Sequence, residues 1–368
     1  MESESLALEK YENESMGTWY HVPQIMSFIK ENRDAGVSFL DIKNSIEKKF
    51  KRHIRSEDYL RKKYTYVSYN RTYFDNIVQS KDVYVRTYTD IYKEYDSFIE
   101  RAKIKSRKKQ TEAGKIIVAG DFHSPFHNLE LLAHLITHHS DAEYFIGPGD
   151  IFDCYSFSRF DKDIDINIKE ELAVNTVLID SIASIWKNVK LQQGNHTDRV
   201  GKYFRQRVPT DMMFLVETDI LSLVSKKHKN IEIISDKYEF DNGMGYALVG
   251  HFHKHGNDMV IGHFENAKKT PVKTVQECYN HLVSWDSYYK LLPIKLFLQA
   301  HTHSLGKWYR HGGSLVIGET GCCCKIQSYQ TKPKIGWEPN TPGYWVVYQD
   351  KDGNTDLNRS RPFSYYGE

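Results

Sequence analysis

The sequence predicts a layered α/β domain that is preceded by a smaller helical domain. After Gly114, short apolar runs that end in polar residues alternate with helical stretches, the rhythm of an α/β core. Before residue 105, apolar positions instead recur at helical spacing. The length of 368 residues suits two domains. We therefore place a basic, tyrosine-rich helical domain at 1–104, a charged linker at 105–114 and the α/β domain at 115–368.

Composition excludes several classes of protein. Lys and Arg (50) nearly balance Asp and Glu (48), which argues against a globally basic nucleic-acid binder. The five cysteines do not form the framework of a secreted disulfide-rich domain. The acidic start MESESLALEK does not resemble a signal peptide, and no run approaches the ~20 apolar residues of a membrane span. We expect a cytoplasmic protein that does not enter membranes.

Two helices are predicted near the start of the chain. Apolar residues at helical spacing indicate one helix over 22–31 and another over 38–50. Ser38, followed by Asp41 three residues later, is a plausible N-cap for the second. A third helix is expected to begin near Ser56.

This helical domain carries a local excess of positive charge. Residues 43–71 contain ten Lys or Arg and three acids, with tyrosines interleaved. Short helices with a basic element suit a helix-turn-helix module that holds phosphates, so nucleic acid is the expected partner. The alternative is a solvated basic face on a small helical bundle. The basic run at 101–109 suits a solvated linker.

The α/β domain is expected to contain five strands that each end before a set of polar residues. They are the apolar runs at 115–120, 142–147, 188–193, 245–250 and 294–299. Helices are predicted over 129–138 and 170–186. Three further strands, at 307–310, 314–317 and 344–348, follow without long helices between them and are expected on one side of the core.

Polar residues follow the five predicted strands, at the edge where open α/β sheets bind ligands. The sets are Asp121-Phe122-His123, Gly149-Asp150-Ile151-Phe152-Asp153, Gly194-Asn195-His196, His251 with His253, and His301-Thr302-His303. Oxygen and nitrogen ligands of these types suit Mn²⁺, Fe or Zn²⁺ rather than a structural zinc site built on thiolates. One aspartate could bridge two ions through its two oxygens.

The ordered series resembles the motifs of the calcineurin-like metallophosphoesterase superfamily over about residues 115–325. The resemblance implies an αββα sandwich and two divalent cations, with Mn²⁺ expected first and Fe, Zn²⁺ or Ni²⁺ as alternatives. It assigns Asp121, His123 and His303 to the first cation. It assigns Asn195, His251 and His301 to the second, with Asp150 bridging both.

The same resemblance implies catalytic roles. His196 would contact the phosphate and stabilise or protonate the leaving oxygen, and Asp153 or Asp198 would orient it by a hydrogen bond. We name His196, Asp150 and Asp198 as catalytic candidates. Arg199 and Arg205 are candidates for contacts with flanking phosphates, although the alternative is that they only cover a helix.

Three departures from the family pattern and a run of cysteines bear on these assignments. The third motif carries its acid one position late, at Asp198, which leaves the acid partner of His196 open. Ala300 replaces a glycine and would be strained if its φ were positive. The alternating histidines at 251, 253 and 255 leave the fourth motif ambiguous, with His251 preferred and His253 as its competitor. The run Cys322–Cys324 suits buried small residues, because three adjacent thiols point in alternating directions and cannot all bind one ion.

The function expected from this resemblance is two-metal hydrolysis of phosphodiesters in nucleic acid, with attack by a hydroxide held between the cations. The form of the second motif is closest to DNA-repair-type nucleases and their phage and bacterial relatives, which would place the protein in a bacterial or phage-infected cell. The alternatives are a phosphoprotein or small-molecule phosphatase, or a phage-type structural or binding protein that carries the fold. Metal identity, exo- or endonuclease behaviour and oligomeric state stay open.

Overall fold

The computed structural model divides the chain into two compact units, residues 1–90 and 91–368. It describes residues 23–50, positions within 54–61 and 95–104, and 110–158, 168–216, 218–241, 247–268, 270, 272–284, 293–325 and 340–365. The division differs from the boundary that we placed at 104. Tyr95, Ile99 and Ala102, which we had assigned to the N-terminal domain, are buried in the hydrophobic core of the second unit. The last part of the predicted linker is also structured, since the first strand begins at Glu112.

The described part of the first unit contains a pair of short helices, α1 (Pro23–Asp34) and α2 (Phe39–Phe50). Ser38 caps α2 as predicted, because its Oγ accepts a hydrogen bond from the Asp41 amide at 3.1 Å. A small apolar core joins the helices; its buried members are Ile25, Ile29, Ile42, Ile46, Ile54 and Leu60. Residues 62–71, the end of the predicted basic segment, lie outside the described residues.

The second unit is built on two six-stranded mixed sheets. The first contains β1 (Glu112–Val118), β2 (Ala142–Pro148), β3 (Asn188–Gln192), β4 (Ile231–Ile234), β11 (Gly343–Tyr348) and β12 (Arg361–Ser364), in the order β12-β11-β1-β2-β3-β4. The second contains β5 (Lys237–Asp241), β6 (Ala247–His255), β7 (Met259–Phe264), β8 (Leu296–Gln299), β9 (Leu305–Arg310) and β10 (Leu315–Thr320), in the order β5-β6-β7-β8-β10-β9. Strands β1 to β4 are parallel to one another, as are β7, β8 and β10.

Helices cover the outer faces of both sheets. They are α3 (Leu129–His139), α4 (Ile168–Ile185), α5 (Asp198–Arg205), α6 (Ile220–Ser225) and α7 (Lys273–Val283). Leu131, Leu135 and Ile182 pack on the first sheet, whereas Val275 and Leu282 of α7 pack on the second. No helix among the described residues is long and apolar enough to span a membrane.

Alternation along the strands produces this layering. Ile117 faces the helices, whereas its neighbours Ile116 and Val118 face the second sheet, where they meet Ile261 and Leu298. The apolar face of each sheet therefore contributes to a shared central core. The predicted layered α/β class with an αββα arrangement is confirmed.

Two details of the predicted strands are wrong. The last three predicted strands do not share one side, because β9 and β10 belong to the second sheet while β11 pairs with β1 in the first. The run at 245–250 also does not end before His251. Its strand continues to His255 and returns as β7 in an antiparallel hairpin.

Buried His127 makes the second unit sensitive to acid. Its side chain is 3% exposed, its ring lies 5.3 Å from the Tyr95 ring, and among the described residues neither ring nitrogen has a hydrogen-bond partner. Burial, followed by the charge of Lys325, lowers the pKa of His127 from 6.5 to about 3. The unfolded chain therefore takes up a proton near neutral pH that the folded chain excludes, so stability falls as the pH drops below 6.5.

His127→Phe is expected to remove this part of the acid sensitivity. Between pH 7 and pH 5 the free energy of unfolding of the wild type should fall by about 2 kcal/mol more than that of the variant. Urea titrations at both pH values measure the difference. Parallel pH dependence in the two proteins would contradict the assignment.

Candidate metal centre

The C-terminal ends of strands from both sheets meet in one buried cluster of carboxylates and histidines. Asp121 follows β1 and Asp150 follows β2 in the first sheet, while His263 lies near the end of β7 in the second. His263 Nε2 lies 3.2 Å from both Asp121 Oδ1 and Asp150 Oδ2. Polar residues that follow the strands were predicted to lie close together, and Asp121 and Asp150 do. The cluster also includes a residue of the second sheet, so it is not confined to the edge of one sheet.

One group of donors comprises Asp121, His123 and His303, whose ligand atoms lie within 4.8 Å of one another. The Nε2 atoms of His123 and His303 are 3.0 Å apart, and His303 Nε2 is 3.9 Å from Asp121 Oδ1. Burial, followed by the nearby histidine charge, lowers the pKa of His303 to about 4 despite the Asp121 carboxylate. The neutral imidazole that results is the form that binds a cation.

A second group comprises Asp150, His263 and His301, again within 4.8 Å of one another. Asn195 follows β3 as predicted, and its buried Oδ1 has no hydrogen-bond partner among the described residues. An orphaned buried carbonyl oxygen is costly unless an ion or water completes it. The carboxylate of Asp150 is also 3.9 Å from His123 Nε2, so this residue adjoins both groups as the bridging assignment requires.

The backbone bends sharply to present these donors. Five of the side chains sit on residues with left-handed φ: Asp121, His123, Asp150, His301 and His303. Such residues cost ~1–3 kcal/mol each and concentrate at functional sites. Ala300 is not one of them; it directly follows β8, and its amide donates an ordinary hydrogen bond to the Gly262 carbonyl, so the strain suggested for this replacement does not arise.

Two motif glycines make room for the donors. A Cβ on Gly149 would collide with the His263 ring, and a Cβ on Gly194 would collide with the Asp150 carboxylate. Gly149 also has a φ of 83°, which a side chain disfavours. The glycines that precede Asp150 and Asn195 are therefore required by close packing of the cluster.

His263, and not His251, supplies the histidine that contacts the central carboxylates. We predicted His251 because it follows an apolar run, but that run belongs to β6, which continues past His251 to His255. The strand whose C-terminal end reaches the cluster is β7, since it runs parallel to β8. An equivalent signal was present in the sequence, because His263 follows the apolar residues 259–262.

His251 lies directly across the β6–β7 ladder from His263. Its Nδ1 donates to the Asp236 carbonyl at 2.8 Å, and its Nε2 has no partner among the described residues. The competitor His253 is two residues farther along β6 and contacts Gln192 Oε1 at 2.9 Å. Burial lowers the pKa of His253 to about 3, as expected for a neutral histidine held between the sheets.

His196 sits beside the cluster with an orienting carboxylate. Its Nδ1 lies 3.2 Å from Asp153 Oδ2, and Asp153 Oδ2 also lies 3.0 Å from His123 Nδ1. Arg199 donates to Asp153 Oδ1 and lies 3.0 Å from His196 Nε2. Because arginine can only donate, His196 Nε2 is the acceptor, which puts the ring proton on Nδ1 toward Asp153. Asp153 is thus the residue that orients both histidines.

The other predicted catalytic and binding residues have different positions. Asp198 pairs with Lys237 instead of His196, because it begins α5 and its carboxylate points toward β5. Arg199 contacts Asp153 and His196, so in this state it supports the cluster. Arg205 is exposed near the end of α5, with its guanidinium folded back toward Gly201.

The donor set suits divalent cations of borderline hardness. Imidazole nitrogens and carboxylate oxygens converge here, and the orphaned Asn195 Oδ1 follows Gly194, which packs against the Asp150 carboxylate. The order of motifs along the chain and the two-sheet topology agree with the resemblance found in the sequence. The second unit therefore has the αββα sandwich that this resemblance implies.

Comparison with known proteins gives similar structures but no matching sequence. No family model matches the chain, and no curated protein matches it. Similar solved structures include zinc-complexed Vps29 from Entamoeba histolytica, with 12% identity and a TM-score of 0.30 over 68% of this chain and 98% of that one. A metallophosphoesterase from Sphaerobacter thermophilus has 11% identity and a TM-score of 0.31 over 68% and 89%. At these values, the chemistry of this chain has to be argued from its own residues.

Proposed function

We propose that this protein is a two-metal phosphodiesterase that acts on nucleic acid. The observation that carries the proposal is the pair of adjoining donor groups, Asp121-His123-His303 and Asp150-His263-His301, with Asp150 between them. Two divalent cations in such a site neutralise phosphate charge and activate water for in-line attack on phosphorus. Mn²⁺ is the first candidate, because the donors are oxygen and nitrogen atoms.

The residues beside the donors are suited to stabilising the leaving group. The Asp153 carboxylate holds the His196 ring with the ring proton on Nδ1. The opposite nitrogen, Nε2, therefore faces the Arg199 guanidinium. In the proposed complex, the scissile phosphate displaces the Arg199 contact at Nε2 and the guanidinium moves onto a phosphate oxygen. Once Nε2 is released from Arg199 it can take up a proton from solvent, and the doubly protonated His196 ring can then donate that proton to the leaving oxygen.

Nucleic acid is favoured as substrate by the charge of the first unit. The excess of seven positive charges over residues 43–71 begins on α2, where Lys48 and Lys49 are exposed. Helix α2 is the second of two short helices joined by a turn at Gly36, whose φ is 78°. A compact helical pair with exposed cations is the type of module that holds a phosphate backbone.

A metal-by-substrate screen tests the proposal. Protein loaded with Mn²⁺, Zn²⁺, Ni²⁺ or Fe²⁺ would be assayed on single- and double-stranded DNA, RNA, a phosphopeptide and a small phosphomonoester. We expect cleavage of nucleic acid, reduced about 10²–10⁴-fold in His196→Ala with the metal content unchanged. Intact nucleic acids together with efficient cleavage of the phosphomonoester or phosphopeptide would instead establish a phosphatase.

A charge-reversal pair tests the role of the first unit in the same assay. Lys48→Glu should weaken DNA binding and lower the slope of log affinity against log salt by about one, while turnover at saturating DNA is retained. The matched control is Lys229→Glu, which reverses an exposed lysine on the second unit. Equal effects of the two substitutions would remove the support for the basic helix as a nucleic-acid module.

A further inference from the structure

The cysteine run at 322–324 divides between two environments. Cys323 points into the core beneath the first sheet, with its Sγ 3.8 Å from the Gly343 carbonyl. Cys322 and Cys324 point the other way, so that their Sγ atoms and a ring nitrogen of His303 all lie within 4.8 Å of one another. The alternating directions expected from the sequence are thus present, and they bring two thiols together beside a donor of the metal centre.

The backbone holds this pair in place. The Cys322 amide donates to Thr341, the Cys323 amide donates to Gly120 at 3.0 Å, and Cys324 forms a β-bridge with His127. All three cysteines are at most 1% exposed. The two sulfurs are therefore preorganised, and a cation that binds them does not have to order the segment.

We infer that Cys322, Cys324 and His303 form a second kind of metal site, specific for a thiophilic divalent cation such as Zn²⁺ or Cd²⁺. Two sulfurs and one imidazole nitrogen are the donors of three-ligand zinc sites, which leave a fourth tetrahedral position open. Hard cations such as Mn²⁺ and Mg²⁺ prefer oxygen and would not compete for the sulfurs. The chemistry of this site is therefore distinct from that of the carboxylate-rich centre.

His303 belongs to both groups, so occupancy of the sulfur site affects the neighbouring centre. A thiophilic cation that draws the His303 ring toward the sulfurs takes a donor from Asp121 and His123. We expect Cd²⁺ or excess Zn²⁺ to weaken Mn²⁺ binding at the Asp121 group. This inference concerns binding alone and holds whether or not the protein hydrolyses phosphoesters.

Cadmium titration of the full chain under reducing conditions tests the site. Binding should produce the ultraviolet thiolate-to-cadmium charge-transfer band with a stoichiometry of one Cd²⁺ per chain, and Mn²⁺ should not produce it. The double variant Cys322→Ser/Cys324→Ser should lose the band. Cys323→Ser, a buried cysteine in the same run that points elsewhere, should keep it.

Competition between cations in the wild type gives a readout that does not depend on how the variants fold. Excess Zn²⁺ should displace Cd²⁺ and remove the band, whereas the same excess of Mn²⁺ should leave it, because the sulfurs select a thiophilic cation. Absence of the band in wild-type protein that binds Cd²⁺ would overturn the inference. So would a band that persists in the double variant, or one that Mn²⁺ removes.

Discussion

Asp150→Asn is expected to reduce metal-dependent hydrolysis by at least about 10³-fold and to release at least one cation. Asp150 belongs to one donor group and lies 3.9 Å from His123 of the other, and its Oδ1 also accepts a hydrogen bond from the His196 amide at 2.9 Å. Although burial alone raises the pKa of this carboxyl, His196 and His263 hold it well below its usual range. Asparagine keeps the shape but removes the charge that two cations would share.

Metal analysis after gel filtration, together with steady-state rates, measures both effects. Asp180→Asn is the matched control. Asp180 lies on the surface of α4, away from the donor groups, and its carboxylate pairs with Lys227 and His228. The control should keep its cations and its rate. Retention of two cations and near-wild-type turnover in Asp150→Asn would exclude it as the bridging ligand.

His263→Gln is expected to bind one cation fewer and to hydrolyse substrate at least about 10²-fold more slowly. His251→Gln should keep its metal content. The difference follows from the contacts of His263 with Asp121 and Asp150, since His251 instead donates to Asp236. Burial alone lowers the pKa of His263, but the two carboxylates raise it to about 10. A bound cation would take over the neutralisation of those carboxylates.

Thermal unfolding with and without Mn²⁺ provides a readout separate from activity. A ligand that binds only the folded chain stabilises it in proportion to the logarithm of its concentration over the dissociation constant. The Mn²⁺-induced rise in Tm should therefore shrink in His263→Gln and persist in His251→Gln. The reverse pattern would restore His251 as the ligand.

The distinction between these two histidines shows where sequence reasoning stops. Each follows an apolar run, so their local patterns are equivalent. What separates them is the direction of the strand, because β7 runs parallel to β8 while β6 is its antiparallel hairpin partner. Pairing direction is decided by contacts far apart in the chain, which periodicity does not encode.

The choice between Asp153 and Asp198 has a similar cause. Both acids lie within a few residues of a motif, and spacing alone left the partner of His196 open. The structure places Asp153 between His123 and His196 and directs Asp198 toward Lys237. The selection depends on Lys237, which lies on a strand that the sequence did not predict.

The sequence by itself determined the layered α/β class, the cap at Ser38 and the strand-end motifs around Asp121, Asp150 and Asn195, because these depend on local periodicity and turn chemistry. Only the tertiary structure decided that His263 joins them, that β11 crosses to the first sheet and that Cys322 and Cys324 face His303. Those features depend on which strands pair and in which direction. Such long-range pairing is fixed by burial in the shared core between the sheets.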